Sequence, residues 1–223
     1  MIELTIGRPG ECKSLDQAKT IDWLLRRAYK TEKKYKLFRK VFVNLHLKVD
    51  AKFSKYLFYF DDLFELTKEK DCDIVIDEIA VYLPSDKWKD THFEVRRMLA
   101  QHRKRGIEIY ANTQDFRMVD INFRRMIHKV FKVKKVIGNR NPSKTRPPIK
   151  HIWGVYIKRE LDIELLEETD KKENFSIPNI EFIRRKFVEM YDTTEDIKPV
   201  DPPPLHHYVR KCATCDFKKT YHV

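Results

Sequence analysis

Glycine is scarce in this chain, five residues in 223. That excludes a collagen-like or glycine-rich disordered polymer. Cysteine is limited to Cys12, Cys72, Cys212 and Cys215. The dense even pattern of a secreted disulfide scaffold is missing, which points to a reducing intracellular compartment. No apolar run approaches the roughly 20 residues that a membrane-spanning helix needs. The N-terminal MIELTIGRPG is not a basic-then-apolar leader. Acidic charge is the minority: 34 Asp and Glu stand against 46 Lys and Arg, a net charge of +12. Such a surplus favours a polyanionic partner, nucleic acid first, because Lys and Arg release counterions condensed on phosphates.

What is present is patterned. Hydrophobic residues make up 42% of the chain, enough for one sizeable core. Residues 2–6 (IELTI) read as a short buried strand. A turn over 7–12 follows, then a helix over 14–29 with Ala18, Ile21, Leu25 and Ala28 on one face. KVFVNLH at 40–46 and DIVID at 73–77 read as strands, the latter β-branched on both faces as a doubly covered strand should be. Between them, LFELTKEK reads as a short helical stretch. A helix is expected over 91–105, with a Thr91/Glu94 capping box, an apolar stripe of Val95, Met98, Leu99 and His102, and a stop at Gly106. IEIYA at 107–111 is the next strand. A helix over 117–130, strands over 130–136 and 151–158 around a basic loop, and an amphipathic helix over 179–191 complete the reading. Strands alternating with helices imply βαβ units and a parallel sheet.

The turn at 7–14 carries chemistry. It reads G-R-P-G-E-C-K-S, against the phosphate-loop (Walker A) pattern G-x-x-x-x-G-K-[ST]. Gly7, Arg8, Pro9, Gly10, Glu11, Cys12, Lys13 and Ser14 form the candidate nucleotide cradle. Gly10 lets the backbone curl so that N–H groups face phosphate oxygens. Lys13 would meet the β- and γ-phosphates of ATP, and Ser14 would ligate Mg²⁺. The helix N-terminus behind them favours an anion. Cys12 stands where the second Gly belongs, and a Cβ there disfavours the positive φ such a loop uses. Its thiol also raises the expectation of a redox-sensitive loop.

DIVIDE at 73–78 ends a strand in two acids, where ligands sit in open α/β sheets. Asp77 would hold Mg²⁺, and Glu78 would activate the attacking water as general base. The strand at 107–111 runs into Asn112, Thr113 and Gln114, and Gln114 is the candidate γ-phosphate sensor. Arg124 and Arg125 are the first candidates for an arginine supplied to a neighbouring subunit, with Arg103 and Arg105 behind them.

Several stretches together resemble the zonula-occludens-toxin-like (Zot) family of filamentous-phage assembly ATPases, within the wider HerA/FtsK group of DNA-pumping motors. They are the phosphate loop close to Met1, VFVNLHL, FDDLFEL before DIVIDE, YLPSDKW, LAQHRKRGIEIYANTQD and EMYDTTE, spread over residues 1–197. The resemblance implies an α/β, RecA-like P-loop NTPase of the additional-strand type, a mostly parallel central sheet with flanking helices and a small C-terminal extension. It also implies ATP hydrolysis, a homo-oligomeric ring of six, viral DNA as partner, and other virion or assembly proteins. Cys12 departs from the family pattern. So does the lack of a membrane segment after this domain, which favours a soluble packaging motor in the host cytoplasm or on the virion over an extrusion machine.

Residues 198–204 (KPVDPPP) read as a linker to a basic tail, 198–223 forming the extension. In the tail, Cys212 and Cys215 have C-x₂-C spacing, and His207 and His222 could complete a four-ligand Zn²⁺ site. One such pair is half of a zinc motif, and a basic tail with two exposed thiols fits the same residues.

Overall fold

The structure, a computed structural model, describes residues 1–87, 89, 91–138, 152–168 and 177–190. These belong to one compact unit, Met1–Asp192. The basic loop, the proline-rich linker and the Cys/His tail lie outside the described residues.

The core is an eight-stranded sheet. Its strands are β1 (Ile2–Ile6), β2 (Lys40–Val43), β3 (Leu57–Tyr59), β4 (Cys72–Ile76), β5 (Glu108–Thr113), β6 (Lys129–Gly138), β7 (Ile152–Leu161) and β8 (Asn179–Arg184). They run in the order β3-β2-β4-β5-β1-β6-β7-β8. The first six in this order are parallel neighbours, and β7 and β8 are added antiparallel. Strand β5 lies between β1, which feeds the phosphate loop, and β4, which ends in the acids. That inserted strand is the mark of the additional-strand class, and the chain has the P-loop NTPase fold.

Helix α1 (Lys13–Tyr35) begins at the end of the phosphate loop. Leu15, Ala18, Ile21, Leu24, Leu25 and Ala28 recur at helical spacing and are buried against one sheet face. Each large apolar side chain so buried stabilises the fold by about 1.5–3 kcal/mol. The helix ends where Lys36 turns left-handed, its N–H donating to the Glu32 carbonyl at 2.9 Å. The opposite face is covered by a 3₁₀ segment (Leu63–Lys68) and by α2 (Ile79–Tyr82), α3 (Phe93–Ala100), α4 (Ile121–Arg124) and α5 (Ile163–Glu168). Helix α6 (Arg185–Met190) packs beside α1.

Four expectations are corrected. Helix α3 is capped by His92, whose ring accepts from the Glu94 N–H at 3.2 Å, and it stops at Ala100 rather than Arg105. Thr91 therefore caps nothing, while the predicted stripe of Val95, Met98, Leu99 and His102 is buried. The helix expected over 117–130 is broken into a 3₁₀ turn (Phe116–Met118) and α4. Asp115 and Asp120 accept from backbone N–H groups just after them and start new turns. The helix expected over 179–191 is strand β8 followed by α6, because residues 179–184 pair with β7. Leu57–Tyr59, for which no element was expected, form strand β3.

Among the described residues no helix is long and apolar enough to cross a membrane.

Candidate nucleotide site

The parallel strands β1, β2, β4 and β5 all end at one sheet edge, so the residues that follow them meet there. Gly7 follows β1 and packs under β6: a Cβ at this position would come within 2.9 Å of both the Val133 side chain and its carbonyl. Gly10 takes a φ of 81°, which glycine adopts without strain. Glu11 braces the loop, its carboxylate accepting from the Arg8 N–H at 2.9 Å.

Cys12 adopts φ 73° and ψ 19°, the left-handed conformation for which glycine was expected. It is buried with Leu15 and Val133. Burial pushes its thiol up to about 11, so it is protonated and unreactive at neutral pH. The redox-sensitive loop expected from the sequence is not supported.

Lys13 donates to the Gly7 carbonyl at 2.7 Å and lies within 3.4 Å of the Arg8 carbonyl, so its ammonium sits inside the curl of the loop. Burial lowers its pKa, and Glu78 and Asp77 pull it back up. The first turn of α1 points N–H groups without helical acceptors toward the same place.

Asp77 and Glu78 follow β4. The Ser14 hydroxyl donates to Asp77 Oδ1 at 3.5 Å, joining loop and acid. Burial raises the Asp77 pKa, against the hydrogen bond from the Asn112 amide, the Lys13 charge and the Ser14 hydroxyl. Glu78 turns left-handed at φ 52° and so directs its side chain away from the strand line. Its Oε1 accepts from Thr113 Oγ1 at 2.9 Å and from the Gln114 N–H at 3.4 Å.

Strand β5 therefore contributes more than Gln114. Asn112 donates to Asp77 through Nδ2 and accepts from the Glu78 N–H at 2.7 Å through Oδ1, bridging the two acids. The Gln114 side chain is exposed, and Gln114 meets Glu78 through its backbone N–H. Asn44, at the end of β2, pairs with the Asp77 backbone. Gln17 donates to the Ile76 carbonyl at 2.7 Å from α1. Sequence reading assigned no role to Gln17, and none to Asn44 beyond its place in the VFVNLHL stretch. Their one signal is a polar residue at a strand end and another on the buried face of the first helix.

Arg124 lies over the Phe116 ring at 5.3 Å and Arg125 is exposed. Among the described residues neither pairs with Asp77 or Glu78. Arg103 and Arg105 precede β5 at the opposite sheet edge, bonded to His128 and to the Thr67 carbonyl.

The donor set suits a phosphate chain with a hard divalent cation. Curled backbone and one lysine face the anion, and a hydroxyl and a carboxylate lie 3.5 Å apart for an oxygen-seeking metal. Among the described residues no group of three or more His, Cys, Asp or Glu is placed to hold a metal. The zinc candidates Cys212, Cys215, His207 and His222 fall outside the described residues.

The model of the zonular occludens toxin (Zot) family matches residues 16–158. No curated protein matches the sequence. The crystal structure of the N-terminal domain of zonular occludens toxin from Neisseria meningitidis superposes with TM-score 0.54 at 19% identity, covering 86% of this chain and 98% of that one. The genome packaging NTPase B204 from Sulfolobus turreted icosahedral virus 2, in complex with ATP-gammaS, gives 0.44 at 12% identity, covering 81% and 95%.

Proposed function

The chain belongs to the zonular occludens toxin (Zot) family, and from that premise we propose that it is an ATP-hydrolysing motor that moves viral or mobile-element DNA during packaging or assembly. The observation that carries the reading is the meeting of Lys13, Ser14, Asp77 and Glu78 at one sheet edge, with Ser14 Oγ 3.5 Å from Asp77.

Residues 7–14 would cradle the phosphates of ATP, with Lys13 leaving the Gly7 carbonyl to meet them. Ser14 and Asp77 would hold Mg²⁺, which supplies charge neutralisation on phosphate oxygens. Glu78 takes the proton of the attacking water. Thr113 and the Gln114 N–H fix its Oε1, so Oε2 is the oxygen that receives it. Asn112 holds the two acids in fixed relation, and Gln114 reads the γ-phosphate. Arg124 or Arg125 would serve the site of a neighbouring copy in a ring of six.

The net charge of +12 supports DNA as the track. The motor acts inside the host cell or on the virion, with other assembly proteins. A zinc site in the tail rests on the spacing of Cys212 and Cys215 alone.

The test is ATP turnover by the purified chain with and without DNA. DNA-stimulated hydrolysis should vanish in Lys13→Ala and Glu78→Gln. A protein that never hydrolyses ATP under either condition sinks the motor reading. A second reading, a DNA-binding scaffold on a degenerate loop, draws on the left-handed Cys12.

A further inference from the structure

One pair of strands holds the phosphate loop from outside at both of its ends. At the start, Gly7 lies so close to Val133 of β6 that a Cβ would meet it at 2.9 Å. At the end, Asp16 in the first turns of α1 is held by β7. The Tyr156 hydroxyl donates to Asp16 Oδ1 at 2.8 Å, and Lys158 Nζ donates to Oδ2 at 2.7 Å. Tyr156 and Lys158 are two apart on β7 and so share a face. Lys158 stands directly opposite Val133 in the β6–β7 register. Between these contacts Val133, Tyr156, Cys12 and Leu15 pack in one buried cluster.

Asp16 is the first of three residues along α1 that are tied to this end of the sheet. Lys19 pairs with Glu181 of β8, and Asp22 pairs with Lys186 of α6 at 2.6 Å. Exposure ranks the three. The side chains of Lys19 and Lys186 are 39% and 51% exposed, whereas that of Asp16 is 5% exposed. Exposed pairs contribute little and are screened by salt, while a buried carboxylate depends on its partners. Both partners of Asp16 are themselves fixed. Tyr156 is buried, and burial first and the Asp16 charge second push its hydroxyl up, so it stays a donor. Lys158 lies over the Phe131 ring at 4.5 Å.

The loop needs outside support. Cys12 is left-handed at φ 73° where glycine would bend freely, and such backbone strain persists only where the surroundings fix it. The Cys12 carbonyl accepts from the Asp16 N–H at 2.9 Å, so what holds Asp16 also holds Cys12 one helical turn away. Lys13 and Ser14 lie between the two. We propose that Asp16, Tyr156 and Lys158 are positioning residues, a clamp from β7 that keeps the phosphate loop in its binding curl although Cys12 occupies the glycine position. Lys158 also neutralises a carboxylate that would otherwise stand uncompensated beside the phosphates. The clamp's effect on affinity rests on the reading of residues 7–14 as a nucleotide cradle; its effect on the loop does not.

Two measurements on the full chain test the clamp. Without nucleotide, amide hydrogen exchange of residues 8–16 should quicken about tenfold in Lys158→Met and about threefold in Tyr156→Phe, because each variant loses a hydrogen bond to a carboxylate. With Mg²⁺, affinity for N-methylanthraniloyl-ATP, read by fluorescence titration, should fall by about the same factors. Lys158→Arg keeps the charge and the donor and should retain binding. Cys12→Gly supplies the discriminating background. There the loop bends without strain, so adding Lys158→Met should cost less than about threefold in affinity. An equal loss in both backgrounds makes the contacts general scaffolding and overturns the proposal. Unchanged exchange and affinity in Lys158→Met and Tyr156→Phe also overturn it. Tyr156→Phe removes one donor and no charge, so it reads the clamp should Lys158→Met fail to fold. If wild type binds no nucleotide while exchange quickens in the variants, the nucleotide reading fails and the clamp stands. If wild type binds nucleotide and the variants match it, the clamp fails and the nucleotide reading stands.

Discussion

Asn44 grips the backbone of Asp77 with both ends of its amide. Its Oδ1 accepts from the Asp77 N–H at 2.7 Å and its Nδ2 donates to the Asp77 carbonyl at 2.9 Å. Strand β4 has ended at Ile76, so the side chain of Asn44 continues the β2–β4 ladder one residue further than the backbones do. Asp77 is thereby fixed before its carboxylate meets Ser14 and Asn112.

Asn44→Ala removes both hydrogen bonds and leaves a partly buried N–H and C=O to find other partners. Stability should fall by about 1–3 kcal/mol, read as a lower urea midpoint with unchanged slope. ATP turnover should fall about tenfold or more in protein that remains folded, since about 1.4 kcal/mol of lost positioning is already tenfold. Turnover equal to wild type would show that the grip does not position Asp77.

Cys12 invites the opposite substitution. A non-glycine residue in the left-handed region costs roughly 1–2 kcal/mol, and Cys12→Gly relieves it. The same change removes a buried thiol from its contacts with Leu15 and Val133, a loss of similar size. The net change in stability should lie within about 1 kcal/mol. Nucleotide affinity and turnover should rise, because the loop then reaches its curl without strain. Unchanged turnover beside measurable ATP binding would favour the scaffold reading. In the wild type, iodoacetamide at neutral pH should leave Cys12 unmodified in the native state and label it in urea, as a buried thiol raised to about 11 requires.

His102 gives the pH dependence. Its Nδ1 bonds the Leu99 carbonyl at 2.7 Å, and its Nε2 is buried with no hydrogen-bond partner. Burial lowers its pKa below the ordinary 6.5, and His128, edge-on at 5.5 Å, is lowered for the same first reason. The sign follows from linkage: below 6.5 the unfolded chain binds protons that the folded chain refuses, so stability falls as pH drops through 6.5 toward the folded values. The urea midpoint should decline between about pH 7.5 and 5.5. The decline should be shallower in a His102→Gln, His128→Gln double variant. An equal slope in both proteins would place the proton uptake elsewhere.

How far the sequence could be read depends on what specifies each element. Ile2–Ile6, the loop and α1 were legible because a buried strand, two glycines and a helical stripe are local signals. Residues 117–130 misled because Val119, Phe123 and Ile127 recur at helical spacing. The competing signal, two aspartates that turn the chain by accepting from the next N–H groups, is equally local but easily outvoted. Residues 179–190 misled for a different reason: β8 exists because β7 offers it an edge, which no window of sequence contains. The acids and the lysine of the site were legible as motifs. Asn112 was legible as a polar strand end beside Gln114, but its role and those of Asn44 and Gln17 were not, since they arise only once the strand order sets β2 and β5 on either side of β4.

Asp73 tests the far end of that same strand. It is fully buried and carries two guanidiniums: Arg27 reaches its Oδ1 at 2.6 Å, and Arg39 reaches Oδ1 at 2.7 Å and Oδ2 at 3.0 Å. Arg27 also meets Glu108 at 2.9 Å, so α1, the start of β2, β4 and β5 are joined by one charged cluster at the sheet edge opposite the nucleotide site. Removing one charge from a buried set is worse than removing all of it, because the partners are left desolvated. Asp73→Ala should therefore cost about 3–5 kcal/mol, read by urea unfolding. Replacing the set together, Asp73→Leu with Arg27→Met, Arg39→Met and Glu108→Gln, should recover most of that loss, because apolar packing needs no compensating charge and no carboxylate is left without its cation. If the quadruple variant is as unstable as Asp73→Ala, the cluster contributes directed hydrogen bonding that apolar packing cannot replace. In either case the folded variants should hydrolyse ATP at the wild-type rate per molecule, since Asp73 and Asp77 lie at opposite ends of β4 and only Asp77 faces the phosphate loop.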